Sequence, residues 1–191
     1  NFQLYKNIYK HIFTHHKELL DIDPELFKWC PAYGTYIEDF GIHKKSKLCS
    51  MIASRKTFST QQVLRIQVAE ALDNCNQVDV FGRDTTPIDK KEEGLNDYMF
   101  SIAIENDSYE TYFTEKVIDC FAVGTVPVYM GAPDIDNHFN ANGIIEFKPG
   151  FDMNTLTPDL YASMKDAIED NYNRSLKYDI LDDWIYNTYL K

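Results

Sequence analysis

Met99-Phe100-Ser101-Ile102-Ala103-Ile104, then Thr114-Glu115-Lys116-Val117-Ile118-Asp119-Cys120-Phe121-Ala122-Val123-Gly124, then Val126-Pro127-Val128-Tyr129 is the stretch that decides the fold. Its first part is a short apolar run bounded by polar residues, which reads as a buried strand. Thr114 stands where a hydroxyl can cap a helix, and Val117, Ile118, Phe121 and Ala122 recur on one side of that helix. Gly124 follows the last periodic residue, where a left-handed backbone most easily ends a helix. Val126 to Tyr129 is a second strand. Pro127 offers no N–H to a ladder, which predicts a place at the strand's start or beside a bulge.

The same alternation extends outward. Lys47-Leu48-Cys49-Ser50-Met51-Ile52-Ala53 reads as a strand, and Leu64, Val68, Ala71 and Leu72 follow at helical spacing. Val78-Asp79-Val80-Phe81 is another strand, stopped by Gly82, and Ile144-Ile145-Glu146-Phe147 resembles one more. Short strands alternating with helices predict parallel pairing through right-handed crossovers, hence a doubly wound, mostly parallel α/β sheet. Leu160, Met164 and Ile168 share a helical face, as do Leu181, Trp184, Ile185 and Tyr189. Before Gly41 the pattern changes: 5–20 reads as helical and 24–36 as an irregular connection.

Composition narrows the function classes. The 191 residues fit one generous domain, or one domain with a piece of another, and 44% hydrophobic content suffices for a real core. The net charge of -11 disfavours nonspecific attraction to nucleic acid or to an anionic membrane. Basic residues nevertheless gather in the first half, among them Lys44, Lys45, Lys47, Arg55, Lys56, Arg65 and Arg83. The four cysteines show no CxxC or Cys/His metal spacing, and Cys49 and Cys120 lie within apolar patterns as small buried residues. That usage points to a reducing, cytoplasmic setting. No apolar run approaches the roughly 20 residues that span a bilayer. The chain opens on Asn1, so a segment preceding it is expected, and any membrane association would run through that segment.

Ligands of an open α/β sheet bind beyond the carboxyl ends of its strands. The loops 54–62, 82–96 and 105–114 open there, and the last runs directly into a helix N-terminus. Free backbone N–H groups and the helix dipole favour an anion at such a place. Lys116 in the first helical turn opposes that dipole, and a bound phosphate would reverse the sign. Glu115 suits a ribose diol because a carboxylate accepts two hydroxyl protons, and Tyr112 is placed to stack on a base or bond to it. The same spacing also describes an ordinary capped helix with solvated Glu115 and Lys116. Arg65, near the start of its helix, is a candidate bidentate partner of a pyrophosphate, and Arg83 follows a strand-ending glycine; either also reads as a surface arginine. Asp134-Ile135-Asp136 and Asp21-Ile22-Asp23 have the DxD spacing of some metal sites but read as turn or cap residues. Adjacent His15 and His16 diverge on a helix, so no metal site is expected there.

Three blocks carry a resemblance: Phe100 to Asn106, Tyr112 to Asp119, and Gly124-Thr125-Val126-Pro127-Val128-Tyr129-Met130-Gly131-Ala132-Pro133. In order and spacing they resemble the α-1,3-fucosyltransferase family (glycosyltransferase family ten), more loosely from Lys47 to Arg83. The resemblance implies the donor domain of a two-domain GT-B enzyme with a Rossmann-like sheet. It implies inverting transfer of fucose from GDP-fucose to a glycan acceptor, with no cofactor or metal required. Tyr112, Glu115 and Lys116 match the family's donor contacts, and Arg65 matches its pyrophosphate-binding arginine. Arg83 and Asn106, within the resembling segments, complete the expected substrate-binding set.

The family's catalytic base is a glutamate of the N-terminal acceptor domain, which places it outside this chain. The expected division is therefore 1–41 as the tail of that domain and linker, 42–175 as the nucleotide-sugar-binding domain, and 176–191 as a C-terminal helix. Two alternatives stay open at this point: a donor domain for GDP-mannose or a UDP-sugar, and a non-catalytic nucleotide-binding module.

Overall fold

The computed structural model describes residues 3–32, 34–75, 78–82 and 85–191. Its elements are α1 (Gln3–Lys6), β1 (Ile12–Thr14), α2 (Lys17–Ile22), β2 (Phe27–Trp29), β3 (Lys47–Ile52), α3 (Thr60–Cys75) and β4 (Asp79–Phe81). There follow β5 (Tyr98–Ile104), α4 (Glu115–Ala122), β6 (Val126–Met130), β7 (Ile145–Glu146), α5 (Pro158–Ser163), α6 (Lys165–Ser175) and α7 (Leu181–Ile185).

Strands β3 to β7 form a five-stranded, all-parallel sheet in the order β4-β3-β5-β6-β7. Side chains alternate across it. Phe100, Ile102 and Ile104 join one buried cluster with Ala69 of α3 and Ile168 of α6. Ala103 joins a second cluster with Val117, Ile118, Phe121 and Ala122 of α4. Helices thus cover both faces, as the alternation predicts. The leucine and methionine expected to share a helical face with Ile168 do so across a break: Leu160 lies in α5, and Met164 sits between α5 and α6.

Pro127 sits inside a central strand, opposite Ser101 of β5. It costs no ladder bond. In a parallel ladder alternate residues face alternate neighbours, and Tyr129 faces β7, its carbonyl accepting from the Phe147 N–H at 2.8 Å. Pro127 faces the same side, but pairing with β7 begins only at Val128 opposite Ile145. Gly124 has φ +70, and a Cβ there would lie 2.8 Å from Ile42 Cγ2, so both backbone and packing require glycine.

The two ends of the chain differ from the sequence-based expectation. Residues 5–20 are not one helix: α1 is short, and Ile12–Thr14 pairs in parallel with Phe27–Trp29, itself inside the stretch expected to be irregular. Pairing with a partner 15 residues away is a tertiary choice that local periodicity cannot see. Nor is 176–191 one helix. It is a 3-10 turn at Leu176–Tyr178, then α7, then a π-helical turn at Tyr186–Leu190. This end packs on the first strands: Trp184 meets Trp29 edge-on at 5.2 Å, and the Tyr189 hydroxyl donates to the Trp29 carbonyl at 2.7 Å. Among the described residues no helix is long and apolar enough to cross a membrane.

Candidate functional site

The strand order reverses beside β3: β4 lies on one side of it and β5 on the other, with β6 and β7 beyond. Loops leaving β3 and β5 therefore part in opposite directions and leave a crevice at the carboxyl ends. A cleft of about 760 Å³ opens there. Its walls come from Ser54, Arg55 and Lys56 after β3, from Asp89, Lys90 and Lys91 after β4, from Asn106 after β5, and from Glu115, Lys116 and Asp119 of α4.

One wall is the start of α4. Thr114 is the N-cap, its hydroxyl accepting from the Lys116 N–H at 3.4 Å. Beneath it Glu105, 0% exposed, accepts from the Thr114 N–H at 2.8 Å, from the Thr114 hydroxyl at 2.6 Å and from Lys116 Nζ at 3.2 Å. Burial pushes the Glu105 carboxyl up, against the pull of Lys116 and Thr114. Glu115 Oε1 is shared by two ammonium groups, Lys116 Nζ at 3.3 Å and Lys91 Nζ at 3.8 Å. Burial pushes it upward as well, but these cations outweigh burial and hold it below the usual carboxylate range.

The opposite wall is the start of α3. Ser59 and Gln62 form a capping box: Ser59 Oγ accepts from the Gln62 N–H at 3.2 Å, and Gln62 Oε1 accepts from the Ser59 N–H at 3.3 Å. The Ser59 hydroxyl also donates to the Asn106 carbonyl, which ties α3 to the loop after β5. Side chains lean toward a helix's N-terminus, so Arg65 reaches back toward the cleft from the second turn. Only 3% of it is exposed. Nη1 donates to the Ile104 carbonyl at 3.1 Å and to Asn106 Oδ1 at 3.0 Å, while the buried Nε has no partner among the described residues. Burial pushes even this guanidinium down, opposed by the Glu105 and Glu115 carboxylates.

Arg65, Asn106, Glu115 and Lys116 thus share one cleft. Tyr112 stands behind it rather than in its lining. Its hydroxyl hydrogen-bonds with Asn106, and its ring stacks on Tyr109 at 4.7 Å and lies 5.0 Å from the ring of His15. Arg83 lies outside the described residues.

Sequence reasoning left three groups without a role. Glu105 had no visible signal, being an acid at the end of an apolar strand. Asp119 is one turn beyond Glu115 and so on the same helical face, a signal that was available. It is 1% exposed and accepts from Thr35 Oγ1 at 2.6 Å, the Tyr36 N–H at 2.9 Å and Lys91 Nζ at 2.6 Å. Lys91 comes from a polar loop with nothing local to mark it.

Asp134 accepts from the Thr111 N–H at 2.9 Å and precedes the 3-10 turn Ile135–Asn137, a loop-bracing role in keeping with its reading as a turn residue. Asp23 ends α2 and pairs with Lys6. The rings of His15 and His16 lie 4.8 Å apart against Tyr109. Among the described residues no group of His, Cys, Asp and Glu side chains is arranged to hold a metal ion. Cys49 and Cys120 are buried free thiols, as expected.

Residues 42–175 match the model of "Glycosyltransferase family 10 (fucosyltransferase) C-term". The chain is 34% identical over 58 residues, 30% of its length, to alpha-(1,3)-fucosyltransferase FucT of Helicobacter pylori. It is 44% identical over 48 residues, 25% of its length, to GDP-fucose protein O-fucosyltransferase 3 of Xenopus tropicalis. These matches span 12% and 10% of the two relatives' own lengths. A crystal structure of an alpha1,3-fucosyltransferase superposes with a TM-score of 0.49 at 25% identity, covering 68% of this chain and 38% of that one. Since the family match takes in well over half of the sequence, the chain belongs to glycosyltransferase family 10, the fucosyltransferases, through their C-terminal region.

Proposed function

We propose that the cleft binds a nucleotide sugar, GDP-fucose, as the donor half of an inverting GT-B glycosyltransferase. The observation that carries this reading is the convergence of buried Arg65, Lys116 and the N-terminus of α4 in one cleft of an acidic protein. Cations and a helix N-terminus gathered in one cleft, within a chain of net charge -11, suit a diphosphate. About 760 Å³ lies within the range of small-molecule sites. Glu115 takes the ribose hydroxyls, and Arg65 with Lys116 takes the diphosphate. GDP-fucose, the donor in the name of the Xenopus relative, and the fucosyltransferase family itself support the choice of nucleotide and sugar.

In this reading residues 42–175 hold the donor, and another domain supplies the glycan acceptor and the base. The acceptor hydroxyl oxygen attacks the anomeric carbon, the bond from that carbon to the diphosphate oxygen breaks, and the hydroxyl proton passes to the base. Arg65 and Lys116 stabilise the charge that grows on the departing GDP. Glu115 and Asp119 are poor candidates for the base. Each is paired with a cation, and Glu115 is held below the ordinary carboxylate range.

Calorimetry of the folded chain with GDP, UDP and GDP-fucose tests the reading. Binding of GDP and GDP-fucose with little binding of UDP is expected. UDP binding as tight as GDP would move the donor to another sugar nucleotide, and the absence of all nucleotide binding would sink the proposal.

A further inference from the structure

Lys91 has a position that the donor reading leaves unused. Its side chain is 26% exposed and lines the cleft, and its ammonium lies 2.6 Å from Asp119 Oδ2 and 3.8 Å from Glu115 Oε1. Asp119 is itself fixed by Thr35 Oγ1 and the Tyr36 N–H, and the Tyr36 ring lies 4.7 Å from Lys91 Nζ. A flexible four-carbon side chain at the start of the 3-10 turn Lys91–Gly94 is thereby pinned at one point beside Glu115. A buried carboxylate alone would be satisfied by a cation anywhere around it. This cation stands on the Glu115 side, at the cleft.

The geometry points to Lys91 as a positioning residue: anchored on Asp119, it fixes Glu115 in the orientation that accepts both ribose hydroxyls of a nucleotide. The inference rests on the donor reading and adds to it a third cation that acts through Glu115. Lys91 and Lys116 then both hold Oε1 of Glu115, at 3.8 and 3.3 Å, so that a rotation of the carboxylate would carry this oxygen away from both. A carboxylate fixed at one oxygen presents its two acceptors in one orientation, which suits a vicinal diol with two O–H donors at fixed spacing. The cations also hold Glu115 ionised, with its full acceptor capacity.

Calorimetry with GDP and with 2′,3′-dideoxy-GDP, which lacks both hydroxyls, separates this role from simple neutralisation of Asp119. The wild-type chain is expected to prefer GDP by about tenfold, the scale of hydrogen bonds to a charged group. Lys91→Gln is expected to lose most of that preference, and Lys91→Arg to restore it. A Lys91→Gln protein that melts lower but keeps the full preference would show a purely structural lysine and overturn the inference. Should Lys91→Gln not fold, Asp119→Asn, which keeps the shape of the anchor but releases the lysine, takes its place with the same two outcomes. Wild-type protein that binds no GDP would refute the donor reading. Wild-type protein that binds both nucleotides equally would leave the donor reading standing and refute the role of Glu115, and that of Lys91 with it.

Discussion

Lys116 Nζ lies 3.2 Å from the carboxylate of Glu105, which is 0% exposed. This pair explains how a cation is tolerated in the first turn of α4, where the helix dipole repels it. Glu105 places a buried negative charge under the same helix end and also takes the N–H and the hydroxyl of Thr114. Lys116 is therefore both a wall of the cleft and the counter-charge of a buried acid.

That double role changes what Lys116→Ala should do. Loss of nucleotide binding by about a hundredfold is expected from removing a charge-assisted contact to a diphosphate. Stability should fall too, and the fall should depend on pH. Burial already raises the Glu105 carboxyl above its ordinary value, so between that value and the raised one the folded state holds the proton more than the unfolded. Ionising Glu105 thus costs stability as pH rises, and more so without Lys116. Urea denaturation at pH 5 and pH 8 is expected to show a larger deficit at pH 8. Equal deficits would place the acid's charge elsewhere.

Arg65→Lys tests geometry with the charge retained. A lysine cannot reach the Ile104 carbonyl, Asn106 Oδ1 and Ser54 Oγ together, as the fork of Arg65 does. GDP affinity is expected to drop about tenfold to a hundredfold. Full affinity in isothermal titration would remove Arg65 from the diphosphate site.

Gly131→Ala probes the floor beneath Glu105. A Cβ there would fall 2.2 Å from the Tyr129 hydroxyl and 2.6 Å from Glu105 Cγ, and both side chains are buried. Overpacking at a site that cannot yield costs about 1–3 kcal/mol, and the strain passes directly to the acid that anchors Thr114 and Lys116. Lower thermal stability together with weaker GDP binding is expected; a stable variant with unchanged affinity would show that the loop relaxes freely.

Lys45 ties the far end of α4. Its ammonium donates to the carbonyls of Asn96 at 2.9 Å and Val123 at 2.7 Å, and to Thr125 Oγ1 at 2.9 Å. Burial pushes it down to about 7. From about pH 7 to the ordinary lysine value the unfolded chain holds the proton and the folded one does not, so stability rises with pH through that window. Relative to Lys45→Met, the wild-type chain should gain stability between pH 7 and 10, read by denaturant midpoints. The variant should be the weaker at all pH values, because it leaves buried carbonyls unpaired. A pH-independent difference would show that Lys45 stays charged throughout.

Much of the sheet was legible because its signals are local. Apolar runs at β3, β5 and β6, helical spacing in α3 and α4, and Gly124 with φ +70 depend on neighbours within a few residues. The chain ends were misread for the opposite reason. Ile12–Thr14 is a strand only because Phe27–Trp29 lies beside it, and the last residues break into short turns to pack on Trp29.

The site divides along the same line. By itself the sequence determined the strand–helix alternation, a helix that opens on Thr114-Glu115-Lys116, and the blocks that mark the family. Those features are short-range, written in consecutive residues. Only the tertiary structure decided the strand order that opens the cleft between β3 and β5, the burial of Glu105 under Lys116, the retreat of Tyr112 behind Asn106, and the meeting of Lys91 with Asp119. Each of these joins groups through packing, and the free energy of a buried ion pair depends on a surrounding that exists only once the chain has closed around it.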